Sequence, residues 1–303
     1  MIVRQTTRFR PLLLSSWGRI VFEAGYSILI VLLFKTDIFS TTIPVAIPAM
    51  LGTALSILLA FRTNAAYDRL WEARKIWGAI VNNSRTFTRQ VISLFVLPEG
   101  ADRREMTAMQ REMIYRQIAW NYVLAHTLRS LDPFADVETM LPAEEIDALR
   151  TQDNPPNAIL QTQAGRLREA LRVGYVDTFR FLPIEGTLTR LCDDMGMCER
   201  IKNTVFPAHY GFLVTRIIWL FVLLLPSGLV ASLGWITVPV AFSTALVFWL
   251  IEAMSGAMQD PFENAASDTP MLALSRTIEI NLRQQLGETQ LPEKIQPEDG
   301  VLM

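Results

Sequence analysis

Cysteine and histidine are nearly absent from this 303-residue chain, with two of each, and the shortage removes most chemistry that depends on them. Cys192 and Cys198 form neither a CxxC pair nor a disulfide framework, which points to reduced thiols in a cytoplasmic compartment. Together with His209 they match no zinc spacing. His126 is the only other imidazole, and there is no GxSxG, no P-loop and no dinucleotide fingerprint. Asp193 and Asp194 read as a solvated loop pair rather than a general acid and base. The familiar enzyme classes are thereby set aside, and no cofactor or metal is expected. Charge of one sign is lacking as well, because a formal net charge of -2 leaves no basic footprint for nucleic acid. No strand-like alternation of useful length and no internal repeat is present. Three arginines among the first ten residues lead only into the short run Pro11 to Ser16, so no cleavable signal is expected.

What the chain has in abundance is apolar length. Half of its residues are hydrophobic, which favours a membrane class. A hydrocarbon core of about 30 Å takes about 20 helical residues to cross, and four stretches approach that. The first is Gly18 to Phe39, with Glu23 and Lys35 expected near the interfaces or snorkelling toward them. The others are Ile43 to Phe61, Ile217 to Trp235, and Ile236 to Ile251, with Glu252 closing the last. Pro44, Pro48, Pro226 and Pro239 are tolerable where neighbouring helices re-satisfy the freed carbonyls. The four spans pair as two hairpins, joined by Thr36 to Thr42 and by a few residues around Gly234. Arg4, Arg8, Arg10 and Arg19 flank the first span and Arg62, Arg69, Arg74 and Lys75 follow the second. The excess of cations on that side places both termini and the middle region in the cytoplasm.

The middle region reads as helical. Ala66, Leu70, Ala73, Trp77, Ile80, Ser84, Phe87, Val91 and Leu94 recur at three- and four-residue steps, so the second span is expected to continue out of the membrane as an amphipathic rod. Pro98 to Gly100 end it. Further helices are expected over Arg103 to Leu131, from Leu141 in "LPAEEIDALR", and over Ala158 to Val173 and Ile184 to Lys202. Asp153 to Pro156 is expected as a loop, and turns fall at Gly174 and Pro183. The expected divisions are 1–61, 62–210, 211–254 and 255–303.

Four helices in one copy hardly enclose a water path, whereas one helix from each of several copies around an axis would. The second span is the candidate. Thr53, Ile57 and Phe61 lie four apart and share one helix face, so in a ring they would stack as constrictions that gate by dewetting. Ordinary helix packing would use the same face. Ala49, Gly52 and Ala54 permit close helix approach in either case.

Several separated stretches then carry a resemblance: "FRTNAAYDRLWEAR" at Phe61 to Arg74, "DPFAD" at Asp132 to Asp136, "CERIKNTVFP" at Cys198 to Pro207, "DPFENAASDTP" at Asp260 to Pro270, and "IEINL" at Ile278 to Leu282. In this order they resemble a prokaryotic bestrophin over nearly the whole chain, with signature positions Arg62, Asn64, Tyr67, Glu72, Arg74, Pro261 and Phe262. The resemblance implies an all-α membrane protein with four transmembrane helices per subunit and a helical cytosolic region, assembled as a homopentamer around a central pore. It implies a hydrophobic neck, which maps onto Thr53, Ile57 and Phe61, and a second constriction near "GYVDTFRF", where Asp177, Thr178 and Phe179 are candidates. The expected partners are four further copies, membrane lipid and monovalent ions, and the expected location is a bacterial inner membrane.

Two features depart from the family pattern. Thr53 stands where an apolar residue is usual, so its hydroxyl can hold water in the ring. After the fourth span only Glu263 and Asp268 stand where eukaryotic bestrophins carry a dense acidic cluster, too few oxygens for a calcium ion. Selectivity is divided: bestrophins are best known as chloride channels, while the neck stripe has no basic residue and an Asp177 ring would favour cations. Asp177 would serve equally as the cap of a helix at Thr178, and Arg180 would offset its charge. A secondary transporter or a non-conducting scaffold would lack the same motifs, but a transporter would usually show inverted repeats and buried mid-membrane charges. The tail from Gly287 is expected as a mobile extension or a strap on a neighbouring subunit.

Overall fold

A computed structural model describes residues 10–36, 42–204, 208–298 and 300–302. Arg4, Arg8, most of the loop Thr36 to Thr42 and the Val205–Pro207 end of one signature lie outside the described residues.

The described residues contain helices α1 (Arg10–Lys35), α2 (Ala46–Leu94), α3 (Arg103–Leu128), α4 (Ala143–Arg150), α5 (Pro155–Val173), α6 (Thr178–Asn203), α7 (Ala208–Leu233), α8 (Thr237–Gln259) and α9 (Met271–Gln285), with a 3-10 turn at Gly234–Ile236. Among them there is no strand, only one isolated bridge between Glu298 and Val301. Helical stretches long and apolar enough to cross a membrane cover Trp17–Lys35, Ala46–Leu94 and Tyr210–Gln259. The last is divided at Gly234, whose positive φ of 52° breaks the helix, and α7 and α8 pack against each other.

The described chain divides into two compact units, residues 10–70 with 208–260 and residues 71–204 with 261–302. α2 contributes to both, as 49 residues of unbroken helix. Pro48 does not interrupt it, because in the first turn the missing N–H has no helical acceptor to lose.

In the first unit, Leu55 and Leu59 of α2, Val214, Ile218, Phe221 and Val222 of α7, and Ala241, Ala245 and Trp249 of α8 form one buried core. Small residues set the helix spacing. A Cβ placed on Gly228 would lie 2.7 Å from Pro48 Cγ, and one on Gly52 would lie 2.9 Å from Phe221 Cε2. The Lys35 ammonium lies 5.4 Å from the Trp235 ring. Glu23 does not snorkel: it is buried, and Ser27 Oγ donates to its Oε1 at 3.2 Å.

In the second unit, Trp77, Phe87, Trp120, Tyr122, Val123, Ile184, Phe262 and Ile278 belong to a single large core. α3 ends at Leu128, three residues short of expectation, in the turn before Asp132 and Pro133. The expected loop at Asp153 to Pro156 is instead the start of α5. Asn154 accepts from Asn157 N at 3.1 Å as its cap, and Pro155 and Pro156 occupy opening positions that need no N–H. α6 likewise begins at Thr178 rather than Ile184, with Pro183 inside it. The proline removes one bond early in the helix, and its own carbonyl accepts from Gln90 Nε2 at 3.1 Å and Thr187 Oγ1 at 3.1 Å. Asp193 and Asp194 are therefore helical, not a loop, and buried Asp194 accepts from Asn83 Nδ2 at 2.7 Å. The expected turn at Gly174 is present as a left-handed cap of α5.

α9 was not anticipated. Its Arg283 donates to Glu288 at 2.7 Å and to the Gln290 carbonyl at 2.9 Å. Tyr115 of α3 donates to Glu288 at 2.8 Å. The tail thus begins as a strap on its own chain.

Candidate pore-lining surface

α2 has two faces, and their difference follows from helical period alone. Leu55, Leu59, Arg62, Ala66 and Leu70 point into the first unit and are buried. Thr53, Ile57, Phe61, Asn64 and Asp68 recur at the same three- and four-residue steps on the other side and are exposed. Ile57 and Phe61 are 53% and 66% exposed, large apolar side chains mostly uncovered in the single chain. The Thr53 hydroxyl donates to the Ala49 carbonyl at 3.0 Å. Its proton is spent inside the helix, so toward solvent it offers acceptor lone pairs only.

Charge on this helix is sorted by face. Arg62 is buried and lies 3.4 Å from Glu252 of α8, which Arg19 of α1 also approaches at 3.6 Å. Arg19 in turn lies 4.5 Å above the Trp249 ring. Arg69 pairs with Asp260 at 3.6 Å. Tyr210 of α7 donates to the Leu58 carbonyl at 2.9 Å. Arg62 is thus an internal clamp among α1, α2 and α8, which no spacing along the chain could reveal, because Glu252 is 190 residues away. Of the other signature positions, Asn64 and Tyr67 are exposed and Pro261 and Phe262 are buried. Glu72 accepts from Arg200 at 2.5 Å, and Arg74 is half-buried.

In the second unit, Asp177 is the cap of α6. Its Oδ1 accepts from Arg180 N at 2.9 Å, and its Oδ2 lies 3.6 Å from the Arg180 guanidinium. Both effects weighed against an acidic ring are present, yet Asp177 and Thr178 remain exposed and Phe179 is 88% exposed. Glu263 accepts from Lys202 at 2.6 Å. Asp268 is buried and accepts from Ala265 N at 2.9 Å, and burial raises its carboxyl above the ordinary range. The two carboxylates therefore have separate structural duties. Burial likewise pushes the Cys198 thiol up, leaving it unreactive. Among the described residues no three His, Cys, Asp or Glu side chains converge as metal ligands; the side chain of His209 lies outside them.

A stronger electrostatic cluster links α3, α4 and α5. Arg116 donates to Glu145 at 2.7 Å and to Glu112 at 2.8 Å, and Arg166 also pairs with Glu112. Burial alone would raise the Glu112 carboxyl, but hydrogen bonds from the two guanidinium groups outweigh it and hold the carboxyl below its usual range. This cluster braces the helices, and Glu145 also lines an open surface cleft between α4 and the start of α5.

Comparison with known proteins accounts for this combination. The family model described as bacterial/fungal bestrophin protein matches residues 11–284. A voltage-dependent anion channel-forming protein of Ralstonia nicotianae is 32% identical over 247 residues, 81% of this chain and 78% of that one. One from Mesorhizobium japonicum is 34% identical over 248 residues, covering 82% and 76%. The crystal structure of a bacterial bestrophin homolog from Klebsiella pneumoniae superposes with a TM-score of 0.83 at 29% identity, covering 90% of this chain and 99% of that one. The long two-faced α2, the hairpin of α7 and α8 and the matched sequence agree, and the chain belongs to the bacterial/fungal bestrophin family.

Proposed function

We propose that the protein is a homopentameric channel that passes small monovalent ions passively across a bacterial inner membrane, with both termini cytoplasmic. Four spans, α1, the first part of α2, α7 and α8, anchor each subunit in lipid. Five copies of α2 surround the axis, and Thr53, Ile57 and Phe61 form the neck. The uncovered apolar face of α2 carries this reading. More than half of Ile57 and of Phe61 is uncovered in their own subunit, while the opposite face already supplies the helix with a core.

In such a neck two apolar rings shed water, and an ion passes only when the path is wetted. Thr53 supplies acceptor oxygens at the outer ring, which suits cations better than anions. The arginines nearest the neck, Arg62 and Arg69, are drawn away from that face by Glu252 and Asp260. Cations are therefore slightly favoured, and Asp177 at the cytosolic exit adds to that preference. The relatives' naming as anion channel-forming proteins supports a second reading, with chloride as the permeant ion. Calcium activation is not expected, since Glu263 and Asp268 are engaged elsewhere.

The test is the purified protein's oligomeric mass and its ion flux in liposomes. A mass five times the chain's 34.3 kDa and sodium efflux that follows the gradient without saturation would support the channel. A monomer, saturating coupled uptake, or no flux from an intact pentamer would refute it.

A further inference from the structure

Below the neck the exposed face of α2 changes from apolar to charged at one residue. Asp68 lies on the same face as Ile57, Phe61 and Asn64 and is exposed. By helical rise it stands about 10 Å beyond Phe61. The charged residues nearest to it on α2 are engaged: Arg62 with Glu252, Arg69 with Asp260 and Glu72 with Arg200. Among the described residues Asp68 makes no hydrogen bond and no ion pair, so its carboxylate serves neither fold nor capping. The next exposed charge on this face is Lys75, about 10 Å further along by rise, roughly one Debye length at 0.1 M salt.

We infer that five copies of Asp68 form a carboxylate ring on the cytosolic side of the neck, which gathers monovalent cations and sets the charge preference of the channel. The inference rests on the proposed pore-facing role of α2. An ion about 10 Å from each of five carboxylates, in water at 0.1 M salt, is enriched about threefold if a cation and depleted about as much if an anion. The ring therefore acts before the neck does, on the population of ions that reaches it.

The experiment compares reversal potentials of the wild-type pentamer, Asp68→Asn and Ile57→Ala in planar bilayers under a sodium chloride gradient. Asp68→Asn should lower the sodium-to-chloride permeability ratio by up to about tenfold at 0.1 M and far less at 1 M, where screening shortens to about 3 Å. A structural role would not show that salt dependence. An unchanged ratio in Asp68→Asn, with current raised in Ile57→Ala, would overturn the ring and leave the neck standing. Unchanged behaviour in both would overturn the pore-facing reading of α2 itself.

Discussion

Truncating Ile57 or Phe61 to alanine should raise single-channel conductance and leave the fold intact, whereas truncating their neighbours on the opposite face should do the reverse. Full burial of a large apolar side chain is worth about 1.5–3 kcal/mol. Ile57 and Phe61 are 53% and 66% exposed, so removing either costs the single chain no more than about half of that value. Leu55 and Leu59 are 0% and 1% exposed. Alanine there empties a packed site between α2 and α7 and should cost about 2–5 kcal/mol. Conductance responds to a different quantity, the barrier that an apolar ring raises to a hydrated ion. Each ~1.4 kcal/mol removed from that barrier is a tenfold gain in current, and five side chains shrink together in a symmetric ring. The assay pairs single-channel recording with thermal unfolding of the same preparations. Unchanged conductance in Phe61→Ala and Ile57→Ala, with the pentamer intact, would mean that this face packs against lipid or protein and lines no pore.

Three other substitutions probe separate parts of the account. Asp177→Asn retains a good helix cap and removes the charge, so it should lower cation preference with unchanged stability, while Asp177→Ala should cost about 1 kcal/mol in thermal unfolding; equal stability in both would refute the capping role. Because hydrogen bonds from Arg116 and Arg166 hold the Glu112 carboxyl below the ordinary carboxylate range, its contribution to stability is present above the unfolded value and is lost as pH falls through the folded value. Glu112→Gln should therefore flatten the acid-unfolding profile and destabilise the protein at neutral pH; an unaltered profile would contradict the charge cluster. Gly228→Ala, whose Cβ would lie 2.7 Å from Pro48 Cγ, should cost about 1–3 kcal/mol. Gly25→Ala, with nothing within 4 Å, should leave the melting temperature unchanged or higher, and equal losses at both sites would contradict the packing argument.

The sequence made α2 legible because hydrophobic period persists across a change of medium: the stripe from Ala66 to Leu94 continues the helix after the uncharged run ends at Phe61. Proline misled the reading twice, at Pro155 and at Pro183. In both cases a capping side chain, Asn154 or Asp177, fixes the helix start, and that signal outweighed the breaker. α9 was not anticipated; its apolar positions are interspersed with Arg276, Glu279 and Arg283, whose partners on α3 and in the tail are seen only in the structure. The burial of Glu23 was not legible either, since burial depends on which helices surround α1 rather than on its own sequence. The neck candidates were legible as a face. That Arg62 is held on the other side by Glu252 depends on a partner 190 residues distant and is visible only in three dimensions.

The most direct test of the central claim is the reversal potential of the reconstituted wild-type pentamer under an asymmetric sodium chloride gradient. The account predicts a steady current whose reversal shifts toward the sodium equilibrium potential. A shift toward chloride would contradict the cation preference assigned to Asp68 and Asp177, and no current from an intact pentamer would contradict the channel itself.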